Sequence, residues 1–394
     1  MSATCASPTA ASTSRHTSLS IAILAFSAFL IVTTEFLIVG LLPAIARDLH
    51  LSISATGQLV TLFAFTVMLL GPPLTAALSH LDRKKLFVTI LCVFAAANGL
   101  AAMAENFTVL ALARIVPAMA LPVFWGTASE TAGQLAGPEH AGRAVARVYL
   151  GISAAMLLGI PLGTVASTLI GWRGSFWLLA GLSLLMAIAL WWLMPSVART
   201  AKLDLRQQAK IFKDPYFVAN VLLSVVVFTA MFVGYTYLAD LLERVAGIPA
   251  AQVGWWLMGF GAVGLIGNWL GGKLVDRSPL NATRTFLVLL ALGMAALVPA
   301  AQSTLLLCAV LALWGIANTA LYPICQVRVM ACVSQAKALA GTANVSAANA
   351  GIGLGAIIGA ATISNLGTAY IGYVAAGVAV LALVSLPLVR RLAH

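Results

Sequence analysis

Long apolar stretches recur along the whole chain and are separated by short polar connections. Each is near or above the roughly 20 residues that an α-helix, rising about 1.5 Å per residue, needs to cross a bilayer core of about 30 Å. The pattern therefore predicts an all-α, polytopic membrane protein with twelve transmembrane helices. The predicted spans are residues 18–42, 55–78, 86–104, 108–135, 144–170, 175–194, 216–239, 251–272, 284–301, 304–326, 341–363 and 369–388.

The composition agrees with this pattern. Hydrophobic residues make up 61% of the 394 residues and charged residues only 8%, whereas a soluble protein is typically about one-quarter charged. An ordinary soluble fold is therefore excluded. Residues 1–17 are rich in Ser, Thr and Ala and predict a disordered cytoplasmic tail. The apolar stretch behind this tail is longer than the roughly 7–15 residues of a signal-peptide core, so we expect an uncleaved first helix.

The middle of the chain carries its longest polar connection, residues 195–215, between the sixth and seventh predicted spans. An internal repeat supports a boundary there, because the stretch that begins at Thr75 is similar to the one that begins at Gly272. These positions lie 197 residues apart, half of 394. Two parallel repeats with a binding site between them are a recurring transporter plan. We therefore expect two pseudo-symmetric six-helix halves, residues 18–194 and 216–394, joined by a cytoplasmic linker.

Basic residues concentrate on one side of the predicted membrane. Because twelve spans return the chain to the side on which it began, both termini share that side. Eighteen of the 22 Lys and Arg residues fall there, against Arg47, Arg173 and Arg244 on the other side and Arg114 within a span. Cytoplasmic loops carry such an excess, so we expect both termini in the cytoplasm. The net charge of +11 thus follows from topology, and no nucleic-acid partner is expected.

The repeated stretches carry a family motif. The second copy, residues 272–277, reads Gly-Lys-Leu-Val-Asp-Arg and resembles the cytoplasmic signature of the major facilitator superfamily, although it diverges at Ser278 and Pro279. The first copy departs further, since Ser79 stands where that family has Asp and Asp82 stands where it has Gly. Other stretches resemble the drug–proton antiporter branch, which includes bacterial sugar and purine-nucleoside exporters; they are residues 33–36, 39–43, 112–115, 159–163 and 171–176.

The resemblance implies a fold, an activity and a location. A protein of this superfamily folds as two six-helix halves and moves its cargo by alternating access. A member of the antiporter branch would be a proton-coupled exporter in the plasma membrane, here the bacterial inner membrane. It would use the proton gradient and no cofactor. The expected partners are a small-molecule substrate, protons and the lipid bilayer, and the expected form is a monomer.

Two charged residues inside the predicted spans are the candidates for proton coupling. Glu35 falls about 10 Å and Arg114 about 9 Å from the outer ends of their helices, so the two match in depth. A charge there costs roughly 2.5–3.5 kcal/mol on insertion scales and usually faces a cavity or a partner. We expect Glu35 to exchange protons and Arg114 to hold it ionised until a proton or cargo displaces it. Two alternatives stay open: a neutral structural Glu35, and an Arg114 that donates only to backbone carbonyls of a neighbouring helix.

The second half lacks both charges. Adding 197 to their numbers gives Phe232 and Leu311, and Tyr235 and Tyr237 follow the first of these. Phenol rings suit neutral amphipathic cargo, because the ring packs and the hydroxyl bonds. An interfacial aromatic belt is the alternative. The residues expected to line a substrate cavity are Thr34, Trp125, Phe232, Tyr235, Tyr237 and Asn349. For the tryptophan, core packing is equally open, and so is a helix–helix hydrogen bond for the asparagine.

Charged residues near the cytoplasmic ends of the spans form a third group. Glu130 lies at the rim of the fourth span, where it can meet water or a loop arginine such as Arg143. We expect this group to form a cytoplasmic gate through latches between helices and not through contact with cargo. Its members are Asp82, Arg83, Lys84, Glu130, Arg143, Asp276 and Arg277.

Sequence motifs for enzymatic chemistry are missing. The chain has no phosphate-binding Gly-x-x-x-x-Gly-Lys-Ser/Thr loop, no His-Glu-x-x-His and no Gly-x-Ser-x-Gly, and its five cysteines form no metal or disulfide pattern. We expect neither an enzyme nor a metal site. The leading hypothesis is proton-coupled export of small neutral or amphipathic molecules such as drugs, sugars or nucleosides. The alternatives are uptake by a proton-coupled symporter, a channel, and a membrane sensor that does not transport.

Overall fold

The computed structural model of the chain describes residues 9–78, 80–137, 141–195, 197, 209–275, 277–334 and 337–392. Within these ranges it describes the backbone alone at residues 9–16, 76, 141–143, 146, 209, 337 and 338. The secondary structure of the described ranges consists of helices, with no strand among them. The all-α prediction is confirmed.

Six spans form the first half of the molecule. The first four are single helices, Thr9–Asp48, Ile53–Leu78, Arg83–Ala102 and Phe107–Ala136. The fifth and sixth spans lie in one continuous helical segment that consists of Ala141–Ala154, the π-helical turn Ala155–Gly159 and Ile160–Leu193.

Gly171 divides that continuous segment into two spans. Its φ of +72° lies in a region that glycine adopts without strain and other residues avoid. The Ser175 hydroxyl donates to the backbone oxygen of Gly163 over 2.9 Å. A straight helix would place these residues about 18 Å apart, so the chain folds back at Gly171. The fifth span therefore ends at residue 170 and the sixth begins at 172.

The second half also contains six spans. The seventh consists of Pro215–Tyr235 and Leu238–Arg244, and the ninth of Pro279–Ala295 and Leu297–Ala300. The eighth, tenth, eleventh and twelfth are single helices, Ala250–Val275, Thr304–Ala331, Lys337–Asn365 and Ile371–Arg391.

The described residues contain ten helical stretches that are long and apolar enough to cross a membrane. One of these stretches, Arg147–Leu193, contains the two spans that meet at Gly171, so the ten stretches contain eleven spans. The shorter apolar helix Pro279–Ala295 is the twelfth. The prediction of twelve spans is thus confirmed. The half boundary predicted at residues 195–215 falls between the helices that end at Leu193 and begin at Pro215.

The first helix is longer at both ends than the sequence predicted. It begins at Thr9, within the predicted disordered tail, of which residues 1–8 lie outside the described ranges. Residues 9–17 contain no Gly or Pro, and extending an existing helix is far easier than nucleating one. The helix also continues through Pro43 to Asp48, so Glu35 lies thirteen residues, or about 20 Å, from its end.

The two halves meet along three pairs of spans: the first with the seventh, the second with the eleventh, and the fifth with the eighth. Glycines allow the last pair to approach closely. A Cβ at Gly261 would lie 2.7 Å from the backbone oxygen of Met156, and one at Gly254 would lie 3.0 Å from that of Pro161. We call the end of the bundle where the first span begins and the twelfth ends the terminal face, and the other end the opposite face.

Candidate transport site

Arg114 is buried in the fourth span and binds the backbone of the first. Its two terminal nitrogens donate to the backbone oxygens of Thr34 and Glu35, each over 2.6 Å. The guanidinium also lies 4.3 Å from the ring centroid of Phe63 in the second span, where a cation is attracted by the ring face. Arg114 thus joins three spans. The structure thus shows the backbone donation that the alternative hypothesis for Arg114 describes. Its effect on the ionisation of Glu35 stays a prediction.

Thr34 and Asn98 add a second connection at this level. The Asn98 side-chain amide, in the third span, donates to the Thr34 hydroxyl over 3.1 Å, and both residues are buried. The backbone before Glu35 is therefore held by the third and fourth spans together. This places Thr34 among packed helices, and its contact with cargo stays a prediction.

The Glu35 carboxylate itself is only partly buried. Within the described part of the chain, no hydrogen bond or ion pair engages it. Its electrostatic neighbours are Arg114 and, in the tenth span, Tyr322. The carboxylate thus lies between the halves, near a positive charge that is fixed to the backbone. It is able to take up or release a proton without breaking a hydrogen bond.

Seven aromatic side chains from both halves pack next to Glu35, and we call them the aromatic cluster. Phe36 meets Phe232 across the interface between the halves, with ring centroids 5.9 Å apart. Contacts of 5.4–5.8 Å extend this pair to Tyr235, Phe260 and Trp314. Phe228, one turn before Phe232 in the seventh span, forms a separate pair with Tyr322 at 5.1 Å. The members are Phe36, Phe228, Phe232, Tyr235, Phe260, Trp314 and Tyr322.

Two polar atoms of this cluster have no hydrogen-bond partner among the described residues. They are the Tyr322 hydroxyl and the Trp314 ring nitrogen, and both are buried. Buried polar groups are normally paired, so an unpaired one calls for an explanation. A phenol can donate and accept and an indole can donate, which makes the pair suited to a cargo molecule with polar groups on an apolar body.

Sequence reasoning missed Phe260, Trp314 and Tyr322, although the internal repeat carried a signal for two of them. Adding 197 to Trp125 gives Tyr322, and adding it to Phe63, the ring beneath Arg114, gives Phe260.

The two tyrosines predicted for the cavity have different surroundings. Tyr235 belongs to the aromatic cluster, and the one contact of its hydroxyl among the described residues is with the sulfur of Met156, at 3.9 Å. Tyr237 is fully buried, and its hydroxyl donates to the backbone oxygen of Ala356 over 2.8 Å. Its ring fills the space beside Gly57 and Gly359, between the second, seventh and eleventh spans. Both side chains are buried among helices, whereas residues of an interfacial belt face the lipid. Contact between Tyr237 and cargo stays a prediction.

The contacts of Trp125 and Asn349 are with neighbouring rings and with backbone. Trp125 is half-buried and its ring contacts Phe124 and Tyr149, each at a centroid distance of 5.4 Å. The Asn349 amide nitrogen donates to Val345 in its own helix over 3.0 Å, while its oxygen has no partner among the described residues. Packing is thus the observed setting of Trp125.

An ion pair and hydrogen bonds join the two halves at the opposite face. Arg47, at the end of the first span, pairs with Glu243 of the seventh over 2.6 Å. The Ser54 hydroxyl donates to the backbone oxygen of Ala360 over 3.0 Å and accepts from Ser364 over 2.9 Å. The structure therefore shows a molecule that is closed at the opposite face.

The gate residues that the structure describes lie at the terminal face, and the contacts that it gives for Asp82, Arg83, Lys84 and Glu130 fall within the first half. Arg83 is buried and pairs with Glu130 over 3.0 Å, which joins the third span to the fourth. Asp82 caps the third helix through the Lys85 amide. Lys84 lies 5.7 Å from the Trp191 ring. Arg277 is exposed, and the Arg143 side chain and Asp276 lie outside the described part of the chain.

Arg328 is one of the eighteen basic residues predicted to lie on the cytoplasmic side, and the structure shows that it is buried. Near the terminal face of the tenth span, it donates to Thr283, Ser224 and the backbone oxygen of Asn220 over 3.0, 2.8 and 3.2 Å. Neutral oxygens from the seventh and ninth spans therefore surround it. It holds the second half together in the way that Arg114 holds the first.

Comparisons with known proteins place this geometry in context. The family model described as Major Facilitator Superfamily matches residues 24–304 and 246–393. Two curated relatives, each named "Inner membrane transport protein YdhP", come from Escherichia coli O157:H7 and Escherichia coli strain K12. Both are 35% identical over 361 residues, which cover 91% of this chain and 93% of the relative.

Solved structures share the fold at lower sequence identity. A bacterial homologue of the human lysosomal transporter Spinster, in an inward-facing and unoccupied conformation, superposes with a TM-score of 0.79 at 17% identity, covering 96% of this chain and 97% of that one. A mutant of the nucleoside transporter NupG gives a TM-score of 0.77 at 15% identity, covering 95% and 99%. These similarities concern the fold alone.

Proposed function

The chain belongs to the major facilitator superfamily of membrane transporters, and from this premise we propose that it is a proton-coupled exporter of small neutral or amphipathic molecules. It would work by alternating access in the bacterial inner membrane, the membrane in which the YdhP relatives are named as transport proteins. The proton gradient would supply the energy. The proposal assigns no catalytic step to the chain.

One observation carries the proposal: the Glu35 side chain, which has no hydrogen-bond partner among the described residues, lies between the halves, beside the aromatic cluster. An intramembrane acid of this kind is costly and is typically part of a proton or ion pathway. Protonation removes the charge, and Arg114 offsets it when the proton leaves. Cargo that packs on Phe232 and Tyr235 would lie next to the same carboxylate. Proton and cargo would therefore compete for one region, which is the requirement for exchange.

The direction of opening follows from the contacts between the halves. Arg47–Glu243 and the Ser54 bonds close the opposite face. We take the terminal face to be cytoplasmic, because it carries most of the basic residues, including Arg83, Lys84 and Arg284. The described conformation would then be sealed toward the outside, with the cargo route leading to the cytoplasm.

Cargo accumulation in cells separates export from uptake. We propose to express the protein in a strain that lacks its own drug and sugar pumps, and to screen neutral and amphipathic compounds for accumulation and growth inhibition. Export predicts lower accumulation of at least one compound and higher resistance to it. The Glu35→Gln variant, at matched expression, is the control and should restore accumulation. Higher accumulation in cells with the wild-type protein would support the symporter and contradict the proposal.

Tyr235 is expected to contribute to cargo binding through its ring. Tyr235→Ala should weaken cargo binding by roughly tenfold, since it removes one aromatic contact surface. Tyr235→Phe should have a much smaller effect, because the contact described for the hydroxyl is with a methionine sulfur, a weak acceptor. Binding calorimetry or tryptophan quenching on purified protein measures both, and proton coupling should survive in each. Unchanged binding in Tyr235→Ala would remove this residue from the cargo site.

Tyr237→Phe is the matched control for this pair. It deletes the hydroxyl that donates to the backbone oxygen of Ala356 and so joins the seventh span to the eleventh. The expected loss is about 1 kcal/mol of stability, with cargo affinity per folded molecule close to wild type. A large loss of affinity without a loss of stability would instead place Tyr237 in contact with cargo.

A further inference from the structure

A groove of about 480 Å³ lies between the ninth and twelfth spans at the terminal face. Arg284 of the ninth span and Arg390 of the twelfth line its polar end. Val288, Leu383 and Val384 line its apolar wall. The volume is in the range of sites that bind small molecules. The groove lies on spans that contribute no residue to the aromatic cluster near Glu35 and is therefore a separate site.

From the two arginines toward the bilayer core, the lining is apolar. In the ninth span, Val288 lies one turn deeper than Arg284. In the twelfth span, Val384 lies six residues, or about 9 Å, deeper than Arg390. The guanidinium groups are thus close to the membrane surface and the apolar wall extends toward the bilayer core. A phospholipid in the same leaflet has the same polarity, with its phosphate at the surface and its acyl chains below.

No described residue supplies a counter-charge to the two arginines. Both are exposed, and neither forms an ion pair or hydrogen bond with another described residue. Two positive charges that share one groove favour an anionic occupant, and arginine binds phosphate through paired N–H groups. Basic pockets between transmembrane helices are suited to anionic lipid headgroups. A soluble phosphate compound would leave Val288 and Val384 uncovered.

We propose that this groove is a binding site for one anionic phospholipid. Arg284 and Arg390 would bind the phosphate group, and an acyl chain would lie along Val288, Leu383 and Val384. The bound lipid would join the ninth span to the twelfth at the terminal face.

Native mass spectrometry of the full-length protein tests the site. The protein is equilibrated in mixed micelles that contain equal amounts of phosphatidylglycerol and phosphatidylcholine, and the ratio of the two bound lipids is measured. Wild-type protein should retain phosphatidylglycerol preferentially. Arg284→Gln/Arg390→Gln should lower this preference by roughly 10- to 30-fold, the effect expected for two charges near a membrane surface.

The matched control is Lys273→Gln/Arg391→Gln, which removes the same charge from the terminal face outside the groove. Its lipid ratio should stay close to wild type. An equal fall in both double variants would show general attraction to a basic surface and would contradict a specific site. Millimolar glycerol phosphate should not displace the lipid; displacement would indicate a site for soluble phosphate.

A second variant keeps both arginines and fills the groove. Val288→Trp adds volume to the apolar wall and should lower retention of phosphatidylglycerol without changing the net charge. Size-exclusion profiles confirm that each variant is folded before lipids are compared. Undiminished lipid retention in both Val288→Trp and Arg284→Gln/Arg390→Gln would overturn the proposal.

Discussion

Replacing Glu35 with Gln is expected to abolish gradient-driven transport while leaving the amount of folded protein close to wild type. The substitution keeps the shape of the side chain and removes the group that carries the proton. Stability should not fall, because no hydrogen bond or ion pair to the carboxylate exists among the described residues, and a neutral amide is less costly in the membrane than a charge. The measurement is cargo accumulation in everted vesicles, normalised to protein detected by size exclusion.

Glu105→Gln is the control for this experiment. Glu105 lies exposed in the connection between the third and fourth spans, so its replacement removes the same charge from the surface. Transport by this variant should equal that of the wild type. Transport by Glu35→Gln at the wild-type rate would exclude Glu35 as the proton carrier.

Arg114→Lys is expected to reduce transport by about tenfold or more, although it conserves the charge. The guanidinium reaches two adjacent carbonyl oxygens, each over 2.6 Å, and stacks on Phe63. A lysine ammonium is a single point charge without a planar fork, so it cannot reproduce this arrangement. Each charged hydrogen bond contributes about 1.5–3 kcal/mol. The loss should therefore lower stability and also displace the positive charge that faces Glu35.

Arg328→Lys distinguishes these two effects. Arg328 is equally buried and also donates to several oxygens, but it lies near the terminal face of the second half, away from Glu35. Its replacement should lower the melting temperature and leave transport per folded molecule nearly unchanged. If Arg114→Lys behaves in the same way, Arg114 has a purely structural role. Transport in proteoliposomes, divided by the amount of folded protein, gives the comparison.

The sequence predicted the number and type of helices well, because apolar length largely decides what can cross a bilayer. It was less accurate where helices end. The first span was predicted to end at residue 42, yet its helix continues through Pro43 to Asp48. The break at Gly171 depends on one backbone angle that a hydrophobicity pattern does not contain.

The candidate site was only partly predictable, because residue types do not show backbone acceptors or packing. Glu35 and Arg114 stood out because charges are rare in apolar stretches. The acceptors of Arg114 are backbone oxygens, which every residue has, so sequence could not select them. Tyr322 and Trp314 resemble any other aromatic residues in a helix until packing shows that their polar atoms lack partners among the described residues. We propose a role in cargo binding for them from the structure alone.

Cargo-induced proton movement is the most direct test of the proposed exchange. Purified protein is reconstituted in proteoliposomes that contain a pH-sensitive dye, and a cargo identified by the accumulation screen is added. The wild-type protein should move protons in the direction opposite to the cargo. Glu35→Gln should bind the same cargo and move no protons. Undiminished cargo-induced proton movement in Glu35→Gln, or proton movement in the same direction as the cargo in the wild type, would contradict the account.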